Sequence, residues 1–243
     1  MNLASRALIF AVSLPSMAMG DSISDFSAGS ARAAAAAAKV RPNLERDLEA
    51  NGLQLGSPVF LRAFKEERVL ELFLWHGESK RFRLFQSYPI AAASGTLGPK
   101  LAEGDGQVPE GFYAVGPRAM KPDSDYHLAF NLGYPNEFDR AHHRTGSAIM
   151  VHGNQVSIGC LAMTDAKIEQ IYTLCDAALK NGQPFFRVHL FPFRMTEARM
   201  KQAAGSRWHA FWQNLKQGHD WFETHGSPPD VTVKNGEYRF AER

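Results

Sequence analysis

The segment from Ile149 to Asp165, IMVHGNQVSIGCLAMTD, sets a histidine, a serine and a cysteine among small and flexible residues. A thiol with an ordinary pKa near ~8.5 is mostly protonated at neutral pH. An imidazole beside it can accept the proton and hold an attacking thiolate as an ion pair, the chemistry of a cysteine nucleophile and its base. His152 and Cys160 are the candidates, because a strand carrying His152 can end in the run GNQVSIG and fold back to present Cys160. The imidazole needs a partner that fixes its tautomer, and a backbone carbonyl serves as well as a carboxylate. Gly159 lets the backbone beside the sulfur approach a reacting carbonyl closely. The N–H groups at Gly159 and Cys160 are then candidate donors to a developing oxyanion.

Other chemistry competes for the same side chains. His142, His143, His152 and Cys160 are acceptable zinc ligands by type. Adjacent residues on a strand point to opposite faces, however, so the His142–His143 pair has poor metal spacing, and neither a metal nor another cofactor is assigned. His127 is a second candidate base, or equally a strand histidine that satisfies a hydrogen bond. The chain has 2 cysteines, which could pair in an oxidising compartment. Cys175 instead shares a helical face with Ile168, Ile171, Tyr172, Ala178 and Leu179, so it reads as a core side chain while Cys160 lies in a loop. Thr164 stands ready to cap that helix, Asp165 suits its positive end, and Asn181–Gly182 stops it.

The elements around this segment can be placed in turn. MNLASRALIFAVSLPSMAMG, residues 1–20, has one charge, Arg6, before an apolar run and small residues. This is the layout of a secretory signal peptide, with a disordered or membrane-tethered N-terminus as the alternative. Residues 21–41 read as a flexible linker, since nothing would hold an alanine-rich helix down. Pro42 opens a short helix, PNLERDLEANG. PVFLRAF, RVLELFLW and RFRLFQSYPI then alternate apolar and polar residues and predict an antiparallel meander with one face wet. Ser94–Gly111, dense in Gly and Pro, predicts a long loop whose length suggests a lid. Further strands are expected at Phe112, Tyr126, Ser147 and in FFRVHLFPF. After Thr196, a stripe of Trp208, Phe211, Trp212 and Leu215 predicts a helix, and Asn235–Gly236 a hairpin turn. The fold class is therefore α+β and mainly antiparallel, with residues 42–195 as the central domain and 196–243 as a helix-and-hairpin subdomain. With 27 basic against 25 acidic side chains and a formal net charge of +2, nothing points to nucleic acid as a partner.

MVHG followed by SIGCLAM resembles the active-site segment of the YkuD-type L,D-transpeptidase family, and the likeness runs from about Pro58 nearly to the C-terminus. SGTLGPKLAEGDGQVPEGFYAV, NLGYPNEFDRAH and GQPFFRVHLFPFRMT are similar to its YafK-like branch. That resemblance implies a sandwich-like β core and a periplasmic enzyme that cuts an envelope lipoprotein from peptidoglycan. It implies attack by Cys160 on a carbonyl of a meso-diaminopimelate stem residue, giving a thioacyl enzyme. By the motif, His152 is the base, the Gly153 carbonyl orients it and Ser157 matches the family's Ser/Thr. The resemblance further implies a substrate wall from Tyr126, His127, Asn131, Tyr134 and Arg144. The chain departs from the family pattern at Ile158, where a histidine is usual, at Ala162, where many members carry arginine, and in a shorter gap between His152 and Cys160. The partners implied are the stem peptide and its attached protein. Stem crosslinking, or wall binding without catalysis, are the other readings.

Overall fold

The computed structural model describes residues 30–242. In chain order it contains α1 (Ala31–Ala50), β1 (Val59–Phe64), β2 (Val69–His76), β3 (Arg81–Pro89), β4 (Ala92–Ala93), β5 (Gly111–Val115), β6 (Met120–Ser124) and β7 (His127–Asn131). There follow α2 (Glu137–Ala141), β8 (Met150–His152), β9 (Leu161–Ala162), α3 (Asp165–Lys180), β10 (Phe186–Phe191), α4 (Glu197–Gln202), α5 (His209–His225), β11 (Asp230–Lys234) and β12 (Glu237–Ala241). The fold is α+β. The signal-like stretch of residues 1–20 lies outside the described residues, as do residues 21–29.

Two five-stranded sheets build the body, in the orders β3-β2-β1-β10-β5 and β4-β9-β8-β7-β6. The meander β1–β2–β3 is antiparallel as its alternation predicts, and β10 then lies parallel to β1. One core cluster takes Leu61, Leu72, Val188, Phe130, Val151 and Leu161 from the two sheets. The expectation of a wet face fails for β1, which is buried throughout. Val59, Leu61 and Ala63 face the main core, while Phe60 and Phe64 turn to the other side and join aromatic clusters. That second face is covered by α5, whose Phe222 ring lies 4.7 Å from Phe60. The exposed member of the meander is β3.

The linker reading of residues 21–41 is corrected over the part that is described. Ala31–Ala50 is one helix with Pro42 inside it rather than at its start. Ala36, Val40, Leu44 and Leu48 recur at helical spacing and are buried in the main core, which includes the facing side of α3. Each large side chain buried this way is worth about 1.5–3 kcal/mol. Pro42 is exposed, so the backbone bond that it cannot make is lost on the side open to water. Ser30 accepts the Ala33 N–H at 3.2 Å, and Lys39 pairs with Glu169 at 2.7 Å. The alanines hold as a helix because α3 gives them a surface, a tertiary cause that composition does not display.

The C-terminal elements follow their pattern. Trp212 and Leu215 of α5 are buried, and Asn235 (φ +54°) and Gly236 (φ +73°) form the turn between β11 and β12. Left-handed values at both positions are what a two-residue hairpin of this kind requires.

Candidate active site

Parallel pairing of β8 with β9 sets the positions of the two reactive side chains. Val151 is level with Leu161 and His152 with Ala162. One step back, Cys160 is level with Met150, whose N–H points at Cys160 Sγ at 3.4 Å. Val151 and Leu161 face the core, so His152 and Cys160 share the opposite face. Neighbouring-strand spacing and a two-residue offset put their Cα atoms about 8 Å apart. Both line a cavity of about 560 Å³ whose far wall is the run Met120–Tyr126, with Ala148 and Met150 completing it.

The loop between the strands is stitched at its base and at its tip. Met163 N–H donates to His152 O at 2.8 Å, Thr164 N–H to Asn154 O at 2.9 Å, and Asn154 N–H to Asp165 Oδ1 at 2.8 Å. Asp165 thus serves the loop as well as the first turn of α3. Thr164 occupies the cap position at φ +75°, but its side chain makes no capping bond there, contrary to expectation. At the tip, Ser157 Oγ accepts the Cys160 N–H at 3.0 Å and donates to Cys160 O at 2.6 Å. Ser157 therefore clamps the nucleophile's backbone through both its proton and a lone pair. Gly159 has φ +85°, and a Cβ there would stand 3.3 Å from Gln107 O, so glycine is required both for conformation and for space.

The two expected oxyanion donors both have partners. Gly159 N–H donates to Ser94 Oγ at 2.6 Å, and Ser94 Oγ in turn donates to Gly106 O at 2.7 Å. With the Cys160 N–H held by Ser157, neither backbone donor is free in this arrangement.

His152 is only 3% exposed, and its Nδ1 lies 2.6 Å from Gly153 O. A carbonyl only accepts, so Nδ1 carries the hydrogen and Nε2 keeps a lone pair. Tyr126 packs its ring 4.8 Å from the imidazole. Burial pushes the His152 pKa down, against the opposing effect of the Gly153 bond. Burial likewise pushes the Cys160 thiol up, against the Met150 N–H and the positive charge of Lys100. Both shifts favour the neutral forms.

The predicted wall divides. Tyr126 lines the cavity. His127 turns away and meets Glu169 Oε1 through Nε2 at 3.0 Å, so it is no base for Cys160. Asn131 accepts the Gly133 N–H at 2.8 Å. Tyr134 donates to Lys100 O at 3.1 Å. Arg144 pairs with Asp139 at 2.8 Å and lies 5.0 Å from both the Phe138 and Phe211 rings. None of these last four lines the cavity; they hold the fold. Cys160 and Cys175 are both free, and Cys175 is buried on α3.

The sequence reading missed Ser94, Lys100 and the β6 wall. The loop containing Ser94 and Lys100 was singled out for its glycines and prolines, but a bond from Gly159 to a residue that far back has no local signature. The Ser94–Gly111 loop is fastened through Gly98, Val108 and Glu110. Glu110 Oε1 accepts from Gly98 N–H at 2.7 Å and from Lys65 Nζ at 3.1 Å, while Trp212 Nε1 reaches Glu110 Oε2 at 2.8 Å. Lys65 also donates to the Gly98 and Val108 carbonyls, at 2.7 and 2.8 Å.

Comparison with known proteins bears on the same residues. The YkuD family profile, an L,D-transpeptidase catalytic domain, matches residues 65–188, which include Ser94, His152 and Cys160. YafK of Escherichia coli K12, which carries the provisional name of an L,D-transpeptidase, is 48% identical over 184 residues, covering 76% of this chain and 74% of that protein. The YafK of Escherichia coli O157:H7 matches to the same extent. Among solved structures, the helical cell shape determining protein Pgp2 from Campylobacter jejuni aligns at TM-score 0.46 and 18% identity over 78% of this chain and 80% of that one. Bd1075 of Bdellovibrio bacteriovorus aligns at TM-score 0.40 and 19% identity, over 74% of this chain and 78% of that one. With a domain match that spans the candidate nucleophile and base, and close identity to YafK across most of its length, the chain belongs to the YkuD L,D-transpeptidase family.

Proposed function

We propose that this protein is a periplasmic cysteine enzyme that opens the amide joining meso-diaminopimelate of a peptidoglycan stem to a covalently attached envelope protein, such as a lipoprotein. Members of its family act on peptidoglycan peptides. The observation that carries the reading is the shared cavity of Cys160 and His152, with Gly153 O fixing the tautomer that leaves Nε2 as acceptor.

The chemistry follows from the neutral pair. As Sγ attacks the diaminopimelate carbonyl, the thiol proton passes to His152 Nε2 and the C–S bond forms. Collapse breaks the C–N bond, and the imidazolium returns its proton to the leaving amine of the attached protein. Water then attacks the thioester with His152 taking its proton, which frees the stem carboxylate and restores the thiol. Lys100 lends positive charge to the sulfur side of the cavity. Ala162, level with His152, is fully buried. The position therefore carries no cation where many family members have arginine, which supports the branch that hydrolyses over the ordinary crosslinking pattern.

A second reading keeps the thioacyl enzyme and gives it to an amine, so that stems are joined or protein is attached; the name carried by YafK favours it. The test is to incubate the protein with peptidoglycan bearing bound protein and to analyse both products by mass spectrometry. Hydrolysis releases protein with no stem fragment; transfer yields stem dimers. Cys160→Ala is expected to lower either activity by roughly three orders of magnitude or more. Retention of the biological role by that variant would instead favour a wall-binding protein.

A further inference from the structure

The wall that faces Cys160 and His152 across the cavity is the strand β6 with the turn that follows it. On its own that wall is poorly supported. β6 is the edge strand of its sheet, and its pairing with β7 slips between Lys121 and Ser124. His127, which closes the turn, stands at φ +70°, a backbone state that a residue with a side chain holds only when its surroundings impose it. The turn nonetheless meets the reactive pair closely. Tyr126 at its tip packs 4.8 Å from the His152 ring, and Tyr126 O lies 2.8 Å from where a Cβ on Gly153 would stand. One turn thus touches both the imidazole and the residue whose carbonyl orients it.

What holds the turn comes from outside the span of residues 65–188 that matches the family. Arg32, in the first turn of α1, donates through Nη1 to Ser124 O at 2.6 Å and to His127 O at 2.8 Å, the residues at the two ends of the turn. Bonds from a charged donor are the stronger kind. Ser30 Oγ adds a bond to Pro122 O at 3.1 Å, where the pairing slips. Further along α1, Lys39 pairs with Glu169, which also meets His127 at 3.0 Å, so helix and hairpin share an anchor on α3. Tyr126 remains 45% exposed, so its place depends on the turn backbone and not on core packing.

We propose that Arg32 is a positioning residue for the reaction: by gripping both ends of the Ser124–His127 turn it sets Tyr126 against His152, and it makes α1 a working part of the active site. The inference rests on His152 being the base of the proposed reaction, whether water or an amine takes the acyl group. Without the grip, the turn eases away from the ring and water reaches the imidazole. Water favours the charged form, so the midpoint of its titration moves up towards ~6.5. The other titratable groups around that ring are Cys160, Lys121, Asp123 and Asp125 on the cavity and Asp165 beside Gly153. Arg32 is bonded to none of them.

The experiment follows the His152 ring signal by NMR against pH in the full chain, assigned by its loss in His152→Asn. It compares the unaltered protein with Arg32→Ala, Tyr126→Ala and the double variant. Arg32 is exposed, α1 is held by its buried face and alanine is the best helix former, so the change spares the fold. Expected is a rise in midpoint of roughly half a pH unit for Arg32→Ala and at least as much for Tyr126→Ala. The double variant should match Tyr126→Ala alone, because Arg32 acts through that ring. On protein-bearing peptidoglycan, kcat/KM of Arg32→Ala should fall further at pH 6 than at pH 7.5, by up to roughly threefold. An unchanged midpoint in either single variant overturns the proposal. So does an Arg32→Ala shift that adds in full to that of Tyr126→Ala, since it would come from the lost charge acting through space. The titration needs no substrate: if neither released protein nor stem dimers form, the base role of His152 fails, while the placing of Tyr126 by Arg32 is still decided.

Discussion

Burial shifts the pKa of His152 down and that of Cys160 up, and the direction of these shifts sets how the site should respond to pH. A lowered imidazole pKa means that the base-competent neutral ring persists as pH falls below ~6.5, where a free histidine would be half protonated. A raised thiol pKa means that less thiolate exists at neutral pH than in a free cysteine. Alkylation of Cys160 in the empty enzyme should therefore rise with pH to a midpoint above the free-thiol value of ~8.5, and should be slow at pH 7. A plot of iodoacetamide rate against pH decides it: a midpoint below ~8.5 would mean that an ion pair forms at rest. Turnover is expected to outlast that titration on the acid side, because proton transfer from Sγ to Nε2 accompanies attack and no standing thiolate is needed. Those two residues were legible in the sequence because nucleophile and base lie on one short segment. The partners of that segment were not: Ser94 and Lys100 reach it only through the fold. Asn131, Tyr134 and Arg144, carried over from a family likeness without a short motif, proved to be buried or bonded into the scaffold.

The loop from Ser94 to Gly111 connects the site to α5, and its anchoring is electrostatic. Glu110 is fully buried, and its carboxylate takes donors from Lys65, Gly98 and Trp212. Lys65 is itself pushed down in pKa by burial, with Glu110 opposing that shift. A buried pair of this kind contributes little net stability while intact, but removing one partner leaves an uncompensated charge. Glu110→Gln should accordingly cost about 3–5 kcal/mol, since the amide nitrogen would face N–H donors and Lys65 would lose its counter-charge. Urea unfolding measures this, and a cost within about 1 kcal/mol would show that the latch is not structural. The same carboxylate makes contacts that the loop's composition does not display. Its glycines and prolines speak for a long excursion, but not for the lysine of an earlier hairpin and the tryptophan of a later helix that fasten it. Local patterns did reveal the meander β1–β3, the helix α3 and the β11–β12 turn, where alternation, helical spacing and Asn–Gly chemistry act over a few residues. They failed at α1, whose alanines need α3, and at β9, whose two residues form a strand only beside β8.

Two sheets and a C-terminal cover meet around β10, and there the fold accepts an unpaired polar ring. His189 is 1% exposed, lies 4.7 Å from both the Phe60 and Phe112 rings, and has no hydrogen-bond partner at either nitrogen among the described residues. Burial, then the charges of Arg187, Arg62 and His219, hold its pKa well below the usual value. His219 on α5, which faces the same aromatic cluster, is also lowered by burial, though Asp220 and Glu223 oppose it. In the unfolded chain both rings would take a proton near pH ~6.5. The folded state therefore binds fewer protons below that pH, so stability is greatest above ~6.5 and falls as the medium is acidified towards the folded pKa values. Each unit of that interval costs up to about 1.36 kcal/mol per ring. His189→Phe removes one of the two and also removes two buried polar atoms that lack partners. His189 also borders a cavity of about 520 Å³ lined from β5, β10 and β11. The variant should be more stable by about 1–3 kcal/mol at pH 7.5. Its stability should also decline less steeply between pH 7 and pH 5, as read from urea midpoints across that range. An acid decline as steep as that of the unaltered protein would show that His189 is not what the fold loses to protons, and would leave His219 and the paired carboxylates as the cause.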